Sequence, residues 1–436
     1  MKVEVEEVSP VQKRVNVELP AEQVDDEIEE QFKEFQDKAQ VPGFRKGKAP
    51  RKMLERRFGK YVLELVAEKL IKSSLTAALD RKGIEPVAEP VLDPSEVKAG
   101  EPYAYTLHVE VRPELSEVKY DGISVTHSER KVLESDVDEA IQRMRESVAV
   151  IQAPAEPRPV KADDQLTARV TMKVEGEDQP AVENQEQEIE LWRETWIPGL
   201  AERLEGRSEG DKTSFAFEAP DEETTPSQFR GKKLELTVEV IGIKERKLPP
   251  LDDEFAKEHT RSQTLAELRE DTRKSLEERV KTMNLNALQE AVLGELIKLN
   301  PIEVPPSLAR QEAERMANDF IMQSSRRTPS QQDLETFSQL FMDDARRSLA
   351  ASYLLEVVAR AEQLEVSEEE FEAEIKKRAE RVGMNEEKLK DRLGETGRVA
   401  MQKELEFRKA LEFLVARANI KQEAGNQDDE SDKVIK

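Results

Sequence analysis

Two proline-rich breaks divide the apolar pattern of this chain. They are APAEPRP at residues 153–159 and LPPLDDEFAKE at 248–258. Proline fixes φ and lacks an N–H donor, so three prolines in seven residues cannot sit inside a helix or a central strand. Between the breaks, apolar residues alternate with polar ones at 165–174, 186–191, 212–217 and 234–243, the period of half-buried strands. One helical turn, WIPGLAERLEG at 196–206, interrupts them. After 258 the period becomes that of a helix. The chain therefore reads as a β-rich module inserted into a different body. No fixed-period repeat runs along it, which argues against a solenoid.

The segment before the first break mixes both periods. Residues 2–8 and 11–19 alternate valines with charged residues and read as strands, and 103–111 alternate again. At 21–39, Val24, Ile28, Phe32 and Phe35 form one helical stripe. A second helix is expected at about 52–80, through Leu54, Phe58, Val62, Leu65, Val66 and Leu70, with Gly83 as a stop signal. Residues 1–112 thus form an α+β unit whose two long helices are joined at their tip by VPGFRKGKAP, residues 41–50. Residues 113–152 hold a short strand at Ile123–His127 and an amphipathic helix through Val137, Ile141, Met144 and Val148. They are expected to be a linker packing on the C-terminal body. The β-rich module takes 153–245 and an all-helical body 246–421. Helices are expected at about 265–296, 307–325, 331–363, 368–382, 386–393 and 398–418, and NPIEVPP at 300–306 breaks the run. Residues 422–436 are polar and expected to be disordered. With 436 residues, of which 37% are hydrophobic and 37% charged, the expectation is an elongated α+β multidomain protein with several modest cores.

The composition excludes several functions. The chain has no cysteine, so thiol catalysis, disulfides and Cys-based zinc sites are out, and a reducing cytoplasm is the expected compartment. MKVEVEEVSP at the start has no apolar core and does not read as a signal peptide. No run of about 18 apolar residues occurs, so no membrane partner is expected. His108, His127 and His259 lack metal-ligand spacing, and no GxxxxGK[ST] or GxGxxG loop is present. No metal, nucleotide or other cofactor is therefore expected. Acidic runs such as Glu368–Glu370 read as solvated helix faces.

One stretch contradicts the overall charge. Residues 44–60 carry eight basic side chains, Arg45, Lys46, Lys48, Arg51, Lys52, Arg56, Arg57 and Lys60, against one acid, Glu55. The stretch is net +7 in a chain of −25, which leaves −32 for the rest. A focused positive tip on a negative body can meet a polyanion while the body is held off it. Gly43 and Gly47 permit unusual backbone angles, Pro42 and Pro50 stiffen the flanks, and Phe44 can insert among apolar groups or stack on a base. The plain alternative is a helix connection with solvated charges. In the C-terminal body, Met283, Met316, Met322, Met342, Met384 and Met401 accompany Phe320, Phe337, Phe341, Phe371, Phe407 and Phe413 on amphipathic helices. Singly these read as core. Together, on arms too thin to bury every stripe, they are expected to leave adaptable apolar patches.

GFRKGKAP resembles the G-F-R-x-G-x-x-P signature of the trigger factor family of ribosome-associated chaperones, matching at Gly43, Phe44, Arg45, Gly47 and Pro50. The resemblance extends over the whole chain. It implies a ribosome-binding domain at 1–112, an FKBP-like peptidyl-prolyl isomerase module at 153–245 and a discontinuous helical chaperone domain with arms at 246–421. It also implies that Gly43, Phe44, Arg45, Lys46, Gly47, Lys48 and Pro50 contact the large ribosomal subunit beside the exit tunnel, through ribosomal RNA and protein. Nascent or unfolded polypeptides are the implied clients, and self-association off the ribosome is implied too.

The segments VEGE at 174–177, WIPGLAERLEG and FRGKKLELTVEVIGIKE at 229–245 are similar to the FKBP-type isomerases. That likeness places Ile197, Trp196, Leu200 and Leu236 in the proline pocket, where an apolar, desolvating wall helps the amide twist. The family's pocket aromatics are replaced at Val170, Gln179, Leu200, Thr224 and Leu236, and Pro180 follows where the family carries an acid. Reduced isomerase activity is expected. The leading reading is an ATP-independent chaperone for nascent chains. The alternatives are a mainly catalytic isomerase whose helical body recruits substrate, and a nucleic-acid adaptor using the 44–60 patch.

Overall fold

The computed structural model describes residues 1–38, 44, 48–115, 117–176, 179–193, 195–222, 224–325 and 328–423. They form two compact units: Met1–Glu129 with Leu285–Lys436, and Arg130–Asn284. The cuts fall outside the proline-rich breaks, because the segments flanking the module belong with it.

In the first unit, β1 (Lys2–Ser9) and β2 (Gln12–Leu19) form a hairpin, followed by α1 (Ala21–Lys38) and α2 (Arg51–Asp80). β3 (Val91–Pro94) and β4 (Tyr103–Glu110) complete an antiparallel sheet of order β1-β2-β4-β3. The sequence pattern misses β3: its four exposed residues show no alternation, and only pairing with β4 makes them a strand. Strand positions Val15, Val17, Leu19, Tyr105 and Leu107 share one core with the helix stripe Val24, Ile28, Phe32, Val62, Val66 and Leu70. Lys69 of α2 also bridges Glu27 at 2.8 Å and Glu30 at 3.1 Å on α1, which raises its pKa.

β5 (Ser124–Ser128) follows. The chain then enters the second unit through α3 (Glu134–Ser147), β6 (Val150–Gln152), β7 (Asp164–Val174), β8 (Val182–Glu190), α4 (Leu200–Leu204), β9 (Lys212–Glu218), β10 (Lys233–Lys247) and α5 (Asp253–His259). The fifteen-residue β10 is the spine. It pairs along one side with β7, and along the other with β6 and β9 in turn, while β8 covers the outer edge of β7. The core runs from Val160 to Ile243 and includes Leu166, Val170, Leu204, Phe215, Leu234, Leu236 and Val238. The first proline-rich break is pinned to this module: Arg158 grips the buried Asp164 carboxylate through two bonds of 2.6 and 2.7 Å.

Residues 113–152 divide. Leu115, Val118, Tyr120, Ile123 and Val125 pack with the helical body. The helix α3 belongs to the second unit, where Glu134 and Asp138 meet Arg273 and Arg269 at 2.5 and 2.6 Å. The expected linker is thus two pieces with different partners.

The remaining elements are α6 (Leu265–Leu299), α7 (Pro306–Ser325), α8 (Gln331–Leu340), α9 (Met342–Ala361), α10 (Glu368–Val382), α11 (Glu386–Arg417) and β11 (Asn419–Glu423). Ser330, Ser367 and Asn385 cap the starts of α8, α10 and α11. α11 is broken at Gly394, with φ 59°, where the sequence places a gap between two helices. The single helix expected at 331–363 is instead two, parted at Phe341. The body is not wholly helical either: β11 lies parallel to β5 with Ile420 opposite Val125, so ordered backbone continues into the expected tail as far as Glu423. Residues 424–436 lie outside the described residues. Among the described residues, no helix is long and apolar enough to cross a membrane.

Candidate functional site

The basic tip is built by α1 and α2. Their apolar stripes bring the two helices together. Gln36 of α1 donates to the Ala49 carbonyl at 2.6 Å, and Ala49 is buried. Pro50, at φ −63° and ψ 140°, then starts α2. Phe44 is 39% exposed, although a lone aromatic would ordinarily find cover. Lys48, Arg51, Lys52, Arg56, Arg57 and Lys60 are all exposed, as are Met53 and Tyr61. Arg51 lies 4.5 Å over the Phe32 ring and 2.8 Å from Glu55, while Phe35 packs against Phe58 at 5.2 Å and Tyr61 at 5.9 Å. These contacts stiffen the base of the basic surface.

The first turn of α2 holds no acid and no side chain caps it. Its N–H groups and the positive end of its dipole therefore add to the field of the basic side chains. Gly43, Arg45, Lys46 and Gly47 lie outside the described residues. Phe44, Lys48 and Pro50 are exposed.

In the second unit, a groove of about 340 Å³ is lined by residues that include Trp192, Thr195, Ile197, Pro198, Leu200 and Glu202. Gly199 sits at φ 66° and turns the chain from Pro198 into α4, a conformation that favours glycine. Ile197 and Leu200 thus share one cavity. Trp196 and Leu236 do not line it. Trp196 is half-buried and stacks on Phe229 at 5.8 Å, with Phe217 at the same distance. Leu236 is fully enclosed on the inner face of β10, opposite Met172 and Phe215. Sequence likeness puts all four in one pocket; only Ile197 and Leu200 line this groove, and Leu200 is itself buried in the module's core together with Leu236. Val170 is likewise core. Trp192, whose ring carries Arg246 at 4.7 Å, is a wall residue that the sequence reading did not assign.

A third surface lies on the helical body. Phe320 of α7 meets Phe337 of α8 at 5.4 Å and Phe341 at 5.7 Å. Phe320 and Met322 of α7 and Leu340 of α8 are 46%, 48% and 70% exposed. Phe320, Met322, Phe337 and Phe341 are among the residues expected to form patches. Leu340 is an addition, and no periodicity marks it. Not every candidate is exposed: Phe371 and Met401 are buried together between α10 and α11. Glu368 and Glu370 lie on an exposed helix face, as expected, and there pair with Arg398 at 2.7 Å and Lys409 at 2.8 Å.

Residues 1–144 match the family profile described as bacterial trigger factor protein, and residues 264–416 match that of the trigger factor C-terminus. The trigger factor of Syntrophomonas wolfei is 30% identical over 97% of this chain and 98% of its own length. That of a Geobacillus strain, WCH70, is 31% identical over 93% and 96%, and that of Agathobacter rectalis 27% identical over 97% of each. A solved structure described under substrate recognition by the trigger factor chaperone covers 95% of this chain and 99% of its own, at 22% identity and a TM-score of 0.45. With both of its terminal regions matched and relatives alike along nearly its whole length, the chain belongs to the trigger factor family of ribosome-associated chaperones.

Proposed function

We propose that the chain docks on the large ribosomal subunit near the exit tunnel through the tip between α1 and α2, and shields nascent polypeptides with the apolar surface of its helical body. The observation that carries this is the tip itself: six exposed basic side chains and an exposed phenylalanine around an acid-free helix start, in a protein of net charge −25. RNA phosphate suits the cations and the helix N-terminus, and an apolar protein surface suits Phe44. Residues 1–112 then serve as the ribosome-binding domain, 153–245 as the isomerase module and 246–421 as the chaperone domain. Nothing in this reading needs ATP: clients leave when burial within themselves outcompetes many weak contacts on Phe320, Met322 and Leu340.

Co-sedimentation with ribosomes at moderate salt tests the reading. Phe44→Ala/Arg45→Ala/Lys46→Ala should reduce pelleting at least tenfold, and pelleting of the unaltered chain should fall as salt rises. A triple variant that pellets as well as the unaltered chain overturns it.

We further propose weak prolyl isomerisation at the groove of Ile197 and Leu200, because Trp196 is stacked on Phe229 and both Leu200 and Leu236 are buried in the module's core. Proline-limited refolding should be accelerated only slightly. Acceleration as strong as an efficient isomerase gives would reject this and favour the mainly catalytic alternative.

A further inference from the structure

Within the first unit, the N-terminal α+β part and the helical body keep separate apolar cores. Among the described residues, no strand or helix of β1–β4, α1 and α2 packs broadly against α6–α11. What joins them is the stretch leaving β4 and a few polar contacts. The most direct is Glu110, the last residue of β4. Its Oε2 accepts the backbone N–H of Ser307 at 2.9 Å and also the Ser307 hydroxyl. Two residues on, Arg112 lies 3.7 Å from Glu356 and 6.0 Å over the Tyr353 ring.

Ser307 is the second residue of α7, and the residue before that helix cannot cap it with its side chain. Pro306 opens the helix, Pro305 before it has no side-chain acceptor, and no acid lies in the first turn. A helix start of this kind leaves N–H groups unsatisfied and favours a negative charge. The carboxylate that satisfies it comes from a strand almost two hundred residues earlier in the chain. Beside the contact is a cleft of about 440 Å³, bounded by Arg14 and His108 of the sheet and Arg310 of α7. The two parts therefore meet around open space at this point and are not packed solidly together. α7 also carries the exposed Phe320 and Met322.

We propose that Glu110 is a latch between the α+β part and α7: it caps the helix from outside and thereby fixes the direction of that apolar arm relative to the β1–β4 sheet. Releasing Glu110 frays the first turn of α7 and lets α7, together with the helices α8 and α9 on which it packs, shift relative to the β1–β4 sheet.

The chain has no cysteine, so paired labels can be placed cleanly by Glu18→Cys and Asn318→Cys, both at exposed positions on β2 and α7. Electron–electron distance measurements should give one narrow distribution for the unaltered chain and a broader, shifted one with Glu110→Ala. Hydrogen exchange at the Ser307 amide should quicken about tenfold or more, as loss of a charge-assisted bond requires. Glu110→Gln keeps an acceptor oxygen without the charge and should fall between. Ser307→Ala removes only the hydroxyl donor and reads the contact should Glu110→Ala lower the helix content. An unchanged distance distribution in Glu110→Ala and Ser307→Ala overturns the proposal, even with faster exchange, because Glu110 would then be a cap and not a latch.

Discussion

Glu374 illustrates what single residues contribute to the helical body. Its carboxylate is mostly buried and accepts from Arg408 and Arg378, each at 2.9 Å. These bonds, Arg408's foremost, hold its pKa down at about 2 against an ordinary 4.5. A depressed carboxylate contributes stability that is complete above its unfolded pKa and disappears as pH falls through the folded one. The window here is pH 4.5 down to about 2. Solvent around Arg408, which is 39% exposed, limits the contribution to on the order of 2 kcal/mol. Glu374→Gln should therefore destabilise the α10–α11 pair by about that amount at pH 7. The gap between variant and unaltered chain should shrink by more than half at pH 3. Urea unfolding at the two pH values checks it, and a pH-independent gap would contradict the assigned cause. The Glu374–Arg378 half of this arrangement follows from i, i+4 spacing, whereas Arg408 comes from another helix whose register no local pattern encodes. The candidate pocket divides in the same way. Ile197 and Leu200 flank a Pro-Gly turn that brings both to the lining of one groove. Trp196 and Leu236 are set by stacking on Phe229 and by strand phase against Met172.

At the scale of elements, breaks made by glycine and proline were legible and breaks made by packing were not. Gly394 ends a helix as its residue type suggests, and its φ 59°, ψ −167° is a region essentially closed to other residues. The bend lets Leu389 and Leu393 fold onto the core of Phe371, Ile375, Met401 and Leu405. Gly394→Ala should cost about 1–3 kcal/mol and raise hydrogen exchange across 386–405. Unaltered exchange there would show that the bend does not hold this small core together. The break at Phe341 lacks glycine or proline: Phe341 leaves the helical path while packing on Phe320, a tertiary effect that overrides a helical sequence. The strands β3, β6 and β11 escape a local reading for a related reason. With three to five residues each, they have no period to detect and are strands only because β4, β10 and β5 supply the ladder.

For the whole molecule, the core boundaries matter more than the overall composition. Every residue of the β-module's core lies between Val160 and Ile243, whereas the helical body's core draws on Ile123 and Val125 together with residues from Val292 to Leu414. The module can therefore melt without exposing any part of the other core. Both tryptophans of the chain, Trp192 and Trp196, lie inside the module, and Trp196 is fixed against Phe229 and Phe217. Tryptophan emission then reports the module alone, and far-UV ellipticity reports mainly the long helices α6 to α11. Two cores that share no residue need not unfold together, so the two signals should give non-coincident transitions, thermal or in urea. Excising 153–247 should leave the ellipticity transition of the remainder within a few degrees of its position in the full chain. Superimposable transitions in the full chain would mean that the continuous helix α6 transmits unfolding between the units, making the molecule one cooperative block despite its divided cores.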